Sequence, residues 1–220
     1  RSSGITAHLG NGCSITKIRN GQSVDTSMGF TPLEGVIMGT RSGDIDPALI
    51  SHVADQLVRD KGLQRAEAFD AVMRALNRES GLKALGGTNM MQEIRTKAEK
   101  GDLAAEMVVQ IYAYRIAKYI GEYWATLPKA HALVFTAGLG ENEGYVRRKV
   151  LHFLENLRFE VDESSNAKRG EEVIIATSRL QTETPLHAMV IPTDEEIVIG
   201  YDTLFLGHLR QPLPDRYPFE

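Results

Sequence analysis

The sequence predicts an α/β domain built around a mixed β-sheet. The chain opens with strand-like segments around the turn pair Asn20-Gly21, a strong two-residue hairpin signal. A long region with helical periodicity follows. Two continuous apolar stretches, 132–136 and 187–191, then resemble strands that are buried on both faces of a sheet. A hairpin unit, a helical insert and a β-α-β-α order together indicate α/β architecture.

The first half of the chain contains short strands followed by helices. The strands are expected at 4–8, 14–18 and 23–27. Thr31 before Pro32 predicts a helix start, because Thr is a favoured cap and Pro fits the first helical position. Asp46-Pro47 predicts a further helix. The helix after Asp46-Pro47 is expected to end near Lys61. Further helices are expected at 67–77, 93–100 and 102–126.

The helix at 102–126 begins after Asp102, a favoured cap residue, and carries one apolar stripe. The stripe consists of Val108, Tyr112, Ile116, Tyr119, Ile120 and Tyr123. Residues at this spacing share one helix face. We interpret the face as core or as a subunit interface, with Trp124 beside it, and a cofactor box is the less favoured interpretation.

The second half alternates strands and helices and then loses regular pattern. Strands are expected at 132–136, 173–177 and 187–191, with a helix from the turn at 137–142 to about Leu157. Asp194 predicts the cap of a final helix that has Glu195 and Glu196 in its first turn. The Pro-rich segment 212–220 is expected to be irregular.

Composition excludes several classes of protein. The net charge of −4 argues against general attraction to nucleic acid or membrane surfaces. The single cysteine, Cys13, permits no intrachain disulfide and favours a reducing, cytoplasmic setting; a buried structural thiol is favoured over a nucleophile. No membrane span or signal peptide is expected. The first residue is Arg1 rather than Met, which favours a fragment, a processed product or a cloning boundary.

Three glycine-rich turns indicate phosphate binding: Gly10–Gly12, Gly39–Gly43 and Gly138–Gly140. Glycine lets main-chain N–H groups approach a ligand, and the fork of Arg41 fits phosphate. None of the three matches a P-loop or a dinucleotide fingerprint. Without further context, an arginine such as Arg41 more often forms a surface ion pair, and a glutamate such as Glu195 more often complements a helix dipole. His8 could be a core histidine.

Several long motifs closely resemble the acetate and propionate kinase family. They occur in the family's order and extend to about Gly207. The motifs are His8-Leu9-Gly10-Asn11-Gly12, Asp25-Thr26-Ser27-Met28-Gly29, Thr31-Pro32-Leu33-Glu34-Gly35, 39–47, 77–82, Phe135-Thr136-Ala137-Gly138-Leu139-Gly140-Glu141-Asn142 and Ile191-Pro192-Thr193-Asp194-Glu195-Glu196.

The resemblance implies a fold and a division of the chain. The family belongs to the acetate and sugar kinase, Hsp70 and actin superfamily, in which two ribonuclease-H-like domains close on a nucleotide. Residues 1–193 would be the second, nucleotide-binding domain, and 194–209 a final helix that packs on the first domain, which is absent here. Residues 210–220 would be an irregular tail. The implied reaction is reversible phosphoryl transfer between ATP and acetate, with Mg²⁺ or Mn²⁺ as cofactor.

The resemblance also implies roles for individual residues. His8, Leu9, Gly10, Asn11 and Gly12 would line the phosphates, and Gly138, Leu139, Gly140, Glu141 and Asn142 would hold the adenosine side. Arg41 would stabilise charge on the transferred phosphoryl group, a role suited to fixed cationic donors. Glu195 would bind the metal, and Glu196 is the competing candidate.

Two departures from the family pattern qualify these expectations. The first domain would supply a metal-linked Asn, a substrate-binding Arg, a catalytic Asp and a second His, so the fragment alone is expected to be inactive. Met90, Met91 and Gln92 occupy the adenosine segment, where the family's Asp and Arg would be replaced by Met90 and Gln92. Pyrophosphate or another donor is therefore an alternative to ATP. Propionate as acceptor, a homodimer and a non-catalytic nucleotide-binding or dimerising fragment also remain open.

Overall fold

The computed structural model describes residues 2–180, 185–214 and 217. Its centre is a seven-stranded mixed sheet with the order β3-β2-β1-β4-β7-β6-β5. The strands are β1 (Gly4–Leu9), β2 (Cys13–Arg19), β3 (Gln22–Thr26), β4 (Ala132–Thr136), β5 (Phe159–Val161), β6 (Val173–Ser178) and β7 (His187–Val190). The predicted mixed α/β sheet is confirmed.

Strand pairing brings the carboxyl ends of β1 and β4 together. β1, β4 and β7 are parallel neighbours, whereas β2 and β3 on one side and β6 and β5 on the other are antiparallel. In the parallel register His8 lies opposite Thr136. The chain leaves both strands at the same edge of the sheet, so the turn at 10–12 and the turn at 137–142 become neighbours.

The hairpin between β2 and β3 forms as the sequence predicts. Asn20 and Gly21 have φ angles of 53° and 79°, the left-handed pair that a two-residue hairpin turn needs.

Nine α-helices surround the sheet in the described residues. They are α1 (Ala48–Lys61), α2 (Arg65–Arg78), α3 (Gly81–Gly86), α4 (Met91–Glu99), α5 (Leu103–Ala125), α6 (Ala137–Asn142), α7 (Gly144–Phe153), α8 (Glu163–Asn166) and α9 (Glu195–Asp202). A 3₁₀ turn spans Glu155–Leu157, and a π-helix at Thr203–Leu209 follows α9. The predicted caps are confirmed: the side chain of Asp102 accepts from Ala104 N and Ala105 N, and that of Asp194 accepts from Ile197 N.

The main core lies between one face of the sheet and α5. Ile5, Ala7 and Leu9 of β1 point into this core and are buried, whereas Thr6 and His8 on the opposite face are only partly buried. The core interpretation of the α5 stripe is confirmed. Tyr112 and Tyr123 are 0% and 2% exposed, so these two side chains are unavailable to a second subunit.

A smaller core joins α1 to α2. Ala54, Ala68, Val72 and Leu76 form its buried centre. The pair extends from the main body next to the loop that carries Arg41, because Ser42 N donates to Leu76 O at the end of α2.

The helix predicted at Thr31-Pro32 is wrong, because the structure has only turns between β3 and α1. Gly35 has a φ of 109°, which no helix residue adopts. Its N–H donates to the Asp44 carboxylate at 2.7 Å, and its carbonyl accepts from Asp44 N. These bonds link residues distant in sequence, so local propensity does not predict them.

Other differences concern short elements. Strand β5 and helices α3 and α8 were not expected, and the helix predicted through Leu157 is divided into α6, α7 and the 3₁₀ turn. α3 forms because Leu82 N and Lys83 N donate to the carbonyls of Met38 and Gly39. Residues 210–214 of the expected tail are irregular; 215–216 and 218–220 lie outside the described residues.

In the part of the chain that the structure describes, no helix combines the length and apolar character needed to cross a membrane.

Candidate functional site

The turn after β1 borders a hollow on the face of the sheet that carries Thr6 and His8. The cavity has a volume of about 640 Å³ and is lined by Thr6, His8, Gly10, Asn11, Gly12, Cys13, Ser14, Thr16, Met28 and Thr136. Three of the predicted phosphate-binding residues, His8, Asn11 and Gly12, therefore share one hollow with Thr136 at the end of β4. The fourth, Gly10, also lines it, but its N–H donates to Gly12 O at 3.0 Å and is not free for a ligand.

Leu9 differs from its neighbours because its side chain is fully buried in the core. Any contact that it makes with a ligand has to come from the main chain. The alternation along β1 explains this, since successive strand residues face opposite sides of the sheet.

The loop that carries Arg41 is attached directly to the β1 turn. Gly39 N donates to Asn11 O at 2.9 Å, and a Cβ on Gly39 would lie 2.0 Å from Asn11 Oδ1. Arg41 Nη1 donates to Met38 Sδ at 3.5 Å, and it lies 3.5 Å from the position that a Cβ on Gly12 would occupy. Asn11 and Arg41 are therefore brought together, as the sequence predicts.

Two main-chain amides of the 39–43 loop serve the fold rather than a ligand. Gly39 N and Ser42 N both donate to carbonyls outside the loop, to Asn11 O and Leu76 O. The expectation that this glycine turn exposes its N–H groups is wrong for these two positions. The loop also presents the side chain of Arg41 at the cavity next to α2.

Asp44 fixes the far end of the same loop to α5. Tyr119 donates its hydroxyl proton to Asp44 Oδ2 at 2.8 Å, and Arg115 Nη2 lies 3.4 Å from that oxygen. Burial and the neighbouring Asp44 carboxylate raise the pKa of Tyr119 well above its ordinary value, so the phenol stays protonated and keeps this bond. No local sequence pattern indicates this link between distant elements.

The turn after β4 packs closely against β1. A Cβ on Gly140 would lie 3.3 Å from Phe135 C and 3.5 Å from Ala7 O, so a side chain here would be tightly packed against the main chain. Leu139 is buried, and Asn142 Nδ2 donates to Gly138 O at 2.9 Å. Ala137 has a φ of 64°, a left-handed conformation that costs an alanine about 1 kcal/mol.

Arg41 and the 138–142 turn line different hollows from the one beneath Asn11. Arg41 borders a cavity next to α2, and Asn142 borders a third one with Glu143, Arg95 and Arg169. The expectation that Asn11, Arg41 and the 138–142 turn line one hollow is therefore wrong: the loops lie next to one another but border three separate cavities. Gly10 touches this turn as well, since a Cβ on Gly10 would lie 3.9 Å from Ala137 Cβ.

The segment 90–92 leads into α4 beside Asn11. Met90 is 48% exposed and Met91 is 1% exposed, packed in the core. Gln92 is exposed. Asn89 Nδ2 donates to Asn11 Oδ1 at 3.2 Å, which leaves the amide nitrogen of Asn11 as the donor able to face a ligand. Asn89 was not singled out from the sequence.

Glu195 begins α9 next to the 138–142 turn. Thr193 donates to Glu141 Oε1 from both its main-chain N and its hydroxyl, at 2.9 and 3.0 Å. Glu195 and Glu196 are both exposed. In the described ranges, no three His, Cys, Asp or Glu side chains form a group that could hold a metal ion. The local chemistry fits a cation that takes one carboxylate and completes its shell from phosphate and water oxygens.

Cys13 is a structural thiol beneath the β1 turn, as the sequence predicts. It is fully buried, its Sγ lies 3.0 Å from the Tyr112 hydroxyl, and it donates to Gly10 O at 3.2 Å. Burial raises its pKa to about 11 despite these bonds and the nearby Arg41. The thiolate needed for nucleophilic attack is therefore suppressed.

A buried arginine that the sequence analysis missed fixes the end of α6. Arg147 is 0% exposed and donates to Gly140 O at 2.8 Å, to Asn166 Oδ1 at 3.0 Å and to Lys168 O at 3.2 Å. Burial lowers its pKa to about 10, with Glu143 opposing and Arg169 adding to the shift. Its helical spacing from Val150 and Leu151 was an available sign of burial.

The fold and the loop arrangement define a class of protein. The strand order β3-β2-β1-β4-β7, with glycine turns at the carboxyl ends of β1 and β4, is the ribonuclease-H-like arrangement of the acetate and sugar kinase, Hsp70 and actin superfamily. The chain belongs to the acetokinase family, whose model matches residues 2–201.

Individual relatives agree with this membership. The chain is 44% identical over 202 residues to the acetate kinase of Carboxydothermus hydrogenoformans, covering 92% of this chain and 48% of that protein. It is 46% identical over 200 residues to the acetate kinase of Methanosarcina acetivorans, covering 90% and 46%. The chain spans about half the length of the curated relatives it matches.

Solved structures give the same result. A propionate kinase from Francisella tularensis superposes with a TM-score of 0.77 at 39% identity, covering 90% of this chain and 48% of that one. The acetate kinase of Entamoeba histolytica superposes with a TM-score of 0.78 at 29% identity, covering 92% and 51%.

Proposed function

We propose that the chain is the C-terminal, nucleotide-binding half of a kinase that transfers the γ-phosphoryl group of ATP reversibly to acetate, giving acetyl phosphate. The observation that carries the proposal is the contact between two phosphate-type loops. Gly39 N bonds Asn11 O at 2.9 Å, and Arg41 Nη1 lies 3.5 Å from the Cβ position of Gly12. An amide donor and a guanidinium fork at one place suit a phosphoryl group.

Each residue of the proposed phosphate site has a role that suits its chemistry. Asn11 is oriented by Asn89 and donates its amide N–H to a phosphate oxygen, with Gly12 allowing close approach. His8 borders the same hollow. Arg41 faces the equatorial oxygens of the transferred phosphoryl group and stabilises their charge in the transition state. Its loop is bonded on both sides, so little reorganisation is needed.

We assign the adenosine side of the nucleotide to the turn at 138–142. In the proposal Gly138, Gly140 and Asn142 border the nucleotide through main chain and amide, whereas Leu139 and Glu141 act mainly as supports. Leu139 is buried, and Glu141 is occupied by Thr193.

Glu195 is the proposed protein ligand of Mg²⁺ or Mn²⁺, with Glu196 as the alternative. A single carboxylate suits a hard cation that is otherwise held by phosphate oxygens and water. When bound, the cation neutralises phosphate charge. Glu141 supports this position because its carboxylate fixes Thr193, two residues before Glu195.

Phosphoryl transfer needs charge and positioning from both sides of a cleft. We therefore propose that residues 1–193 form the nucleotide domain, that 194–209 pack on the other half of the longer protein, and that this chain alone does not make acetyl phosphate. A colorimetric assay for acyl phosphate with ATP and acetate checks this. Turnover by the chain at the rate of complete family members would contradict it.

A cytoplasmic homodimer is the proposed working form. The single cysteine fits a reducing compartment. Leu103, Met107 and Tyr114 on the outer side of α5 are 82%, 63% and 50% exposed, which supports a contact surface there. Light scattering at high concentration is expected to give twice the chain mass, and a clean monomer would contradict the dimer.

A different phosphoryl donor is the second candidate, because Met90 and Gln92 occupy the adenosine segment. Met90 is half exposed beside Asn11 and offers a ribose no acceptor. Pyrophosphate needs no adenosine pocket. Propionate as acceptor is supported by the 39% identity to a propionate kinase.

Calorimetric titration of the chain with ADP tests the proposal. Saturable binding is expected, and Asn11→Asp should weaken it at least about tenfold, because a carboxylate would repel phosphate. Asn20→Asp in the hairpin turn makes the same chemical change away from the site and should leave the affinity within about twofold. If ADP does not bind, but pyrophosphate binds and Asn11→Asp abolishes that binding, then pyrophosphate replaces ATP as the proposed phosphoryl donor. Equal effects of the two substitutions would contradict both candidates.

A further inference from the structure

A second positively charged hollow lies on the α2 side of Arg41. Its volume is about 710 Å³, and it is lined by Thr40, Arg41, Asp70, Met73, Arg74, Asn77 and Arg78. Three guanidinium groups thus face one carboxylate. None of Arg41, Arg74 and Arg78 borders the hollow beneath Asn11, and the two hollows share no lining residue.

The three arginines are not neutralised by the chain itself. Among residues 2–180, 185–214 and 217, no ion pair involves Arg41, Arg74 or Arg78. By contrast, Arg65 at the start of the same helix pairs with Asp55. Arg74 and Arg78 are four residues apart on α2, a spacing at which like charges destabilise a helix. An anion in the hollow would remove that repulsion.

The arrangement is held in place by main-chain contacts. Thr40 donates its hydroxyl proton to Asn77 O at 3.2 Å, and Ser42 N donates to Leu76 O at 3.0 Å. Ser80 N donates to Thr40 O at 3.0 Å. The Arg41 loop therefore cannot move away from the end of α2 without breaking several bonds, so the main-chain positions that carry the three arginines are held around one hollow.

We propose that Arg41, Arg74 and Arg78 form a second anion site, which binds the phosphate group of a small free oxyanion. Guanidinium groups bind phosphate through two parallel bonds and are weakly hydrated, and the hollow has room for more than one phosphate group. This site needs no nucleotide and does not depend on the proposed function. It shares only Arg41 with it.

Calorimetry on the whole 220-residue chain, without metal, tests the site with inorganic pyrophosphate and, in a separate arm, with orthophosphate. A salt concentration of about 0.15 M screens attraction beyond about 8 Å, so that direct contacts dominate. Saturable binding is expected. The double variant Arg74→Gln, Arg78→Gln should weaken it at least about tenfold, because bonds to charged groups are lost.

Arg59→Gln is the matched control, since Arg59 is an exposed arginine at the end of α1 that does not line the hollow. It should change the affinity less than about twofold. Tighter binding of pyrophosphate than of orthophosphate would assign the site to a phosphate chain, and equal affinity to a single phosphate group. Either result supports the site, provided that the double variant weakens the binding at least about tenfold.

Several results would overturn the proposal. These are the absence of saturable binding in both arms, unchanged binding in the double variant, and an equal loss in Arg59→Gln. A parallel ADP titration separates this site from the nucleotide site, because the double variant should keep ADP affinity within about twofold. An equal loss of ADP binding would show one site rather than two. Failure of ADP to bind at all, with the phosphate results as expected, would contradict the proposed function and leave this site intact.

Discussion

Two regions of the molecule differ strongly in how far their side chains are buried. One is the end of the sheet where the chain leaves β1 and β4, and the other is helix α9 near the C-terminus. Leu9 and Phe135 at that end of the sheet are fully buried, and the Arg41 loop bonds to the β1 turn and to α2. No residue of α9 or the following π-helix, both fully described, is buried. Ile199 and Leu206 there are 64% and 56% exposed.

The comparison shows that a helix can form from its local sequence without being packed against a core. Asp194 caps α9 in the same way that Asp102 caps α5, so local sequence is sufficient to begin both helices. Only α5 has a core to cover it. The phosphate-type loops are therefore organised by this chain alone, whereas Ile197 and Ile199 of α9 remain 45% and 64% exposed. In the proposed function, the other half of the longer protein covers them.

The largest expected effect comes from adding a methyl group at Gly81, beneath the Arg41 loop. Gly81 has a φ of 63°, and a Cβ there would lie 2.2 Å from Met38 O and 2.7 Å from Arg41 O. These are main-chain atoms, so Gly81→Ala has to displace the loop. We expect a loss of about 3 kcal/mol in the free energy of unfolding, measured by urea denaturation.

Gly87→Ala is the control for backbone strain without a clash. Gly87 has a φ of 75°, and a Cβ there would meet no described atom within 4 Å. Its substitution should cost about 1 kcal/mol. Equal losses at Gly81 and Gly87 would mean that the loop is not packed as tightly as described.

The next effect is expected from Arg147→Lys, which keeps the charge and removes the fork. The bonds to Gly140 O and Asn166 Oδ1 cannot both be kept, so buried acceptors lose partners at a cost of about 2 kcal/mol. The neighbouring Arg148→Lys, at an exposed ion pair with Glu163, should cost less than about 0.5 kcal/mol. Thermal unfolding of the two variants in parallel measures the difference, and similar melting temperatures would refute the supporting role of Arg147.

The smallest effect is expected when residues 195–220 are removed. Because α9 and the π-helix bury no side chain, the free energy of unfolding should change by less than about 0.5 kcal/mol. Urea denaturation of the shortened and complete chains makes the comparison. A loss above about 2 kcal/mol would show that the C-terminal region is part of the fold of this chain, which removes the contrast drawn above.

Local signals in the sequence were sufficient for most regular elements. Asn20-Gly21 predicts its hairpin, and Asp102 and Asp194 predict their helices, because the determining contacts lie within a few residues. The Thr31-Pro32 prediction failed because Gly35 bonds to Asp44 across the loop. A buried polar network joins elements that come together only in the folded chain. The bond between Arg147 and Asn166 is an example that the sequence analysis missed.

The candidate site was predictable in part. The sequence motifs predict the glycine turns and Arg41 as parts of the site. They do not predict the supporting contacts that Asn89 and Asp44 make. These two act through residues that are 78 and 75 positions away, and no local pattern encodes such pairs.

The most direct test of the central claim follows main-chain amide signals by NMR while ADP is added to the chain. We expect the amides of Gly12 and of the 138–142 turn, and the side-chain amide of Asn11, to shift together with one saturation curve, while signals from 203–209 stay unchanged. Shifts that leave both turns unaffected, or that are confined to another surface, would contradict the claim that these loops form one phosphate-binding region.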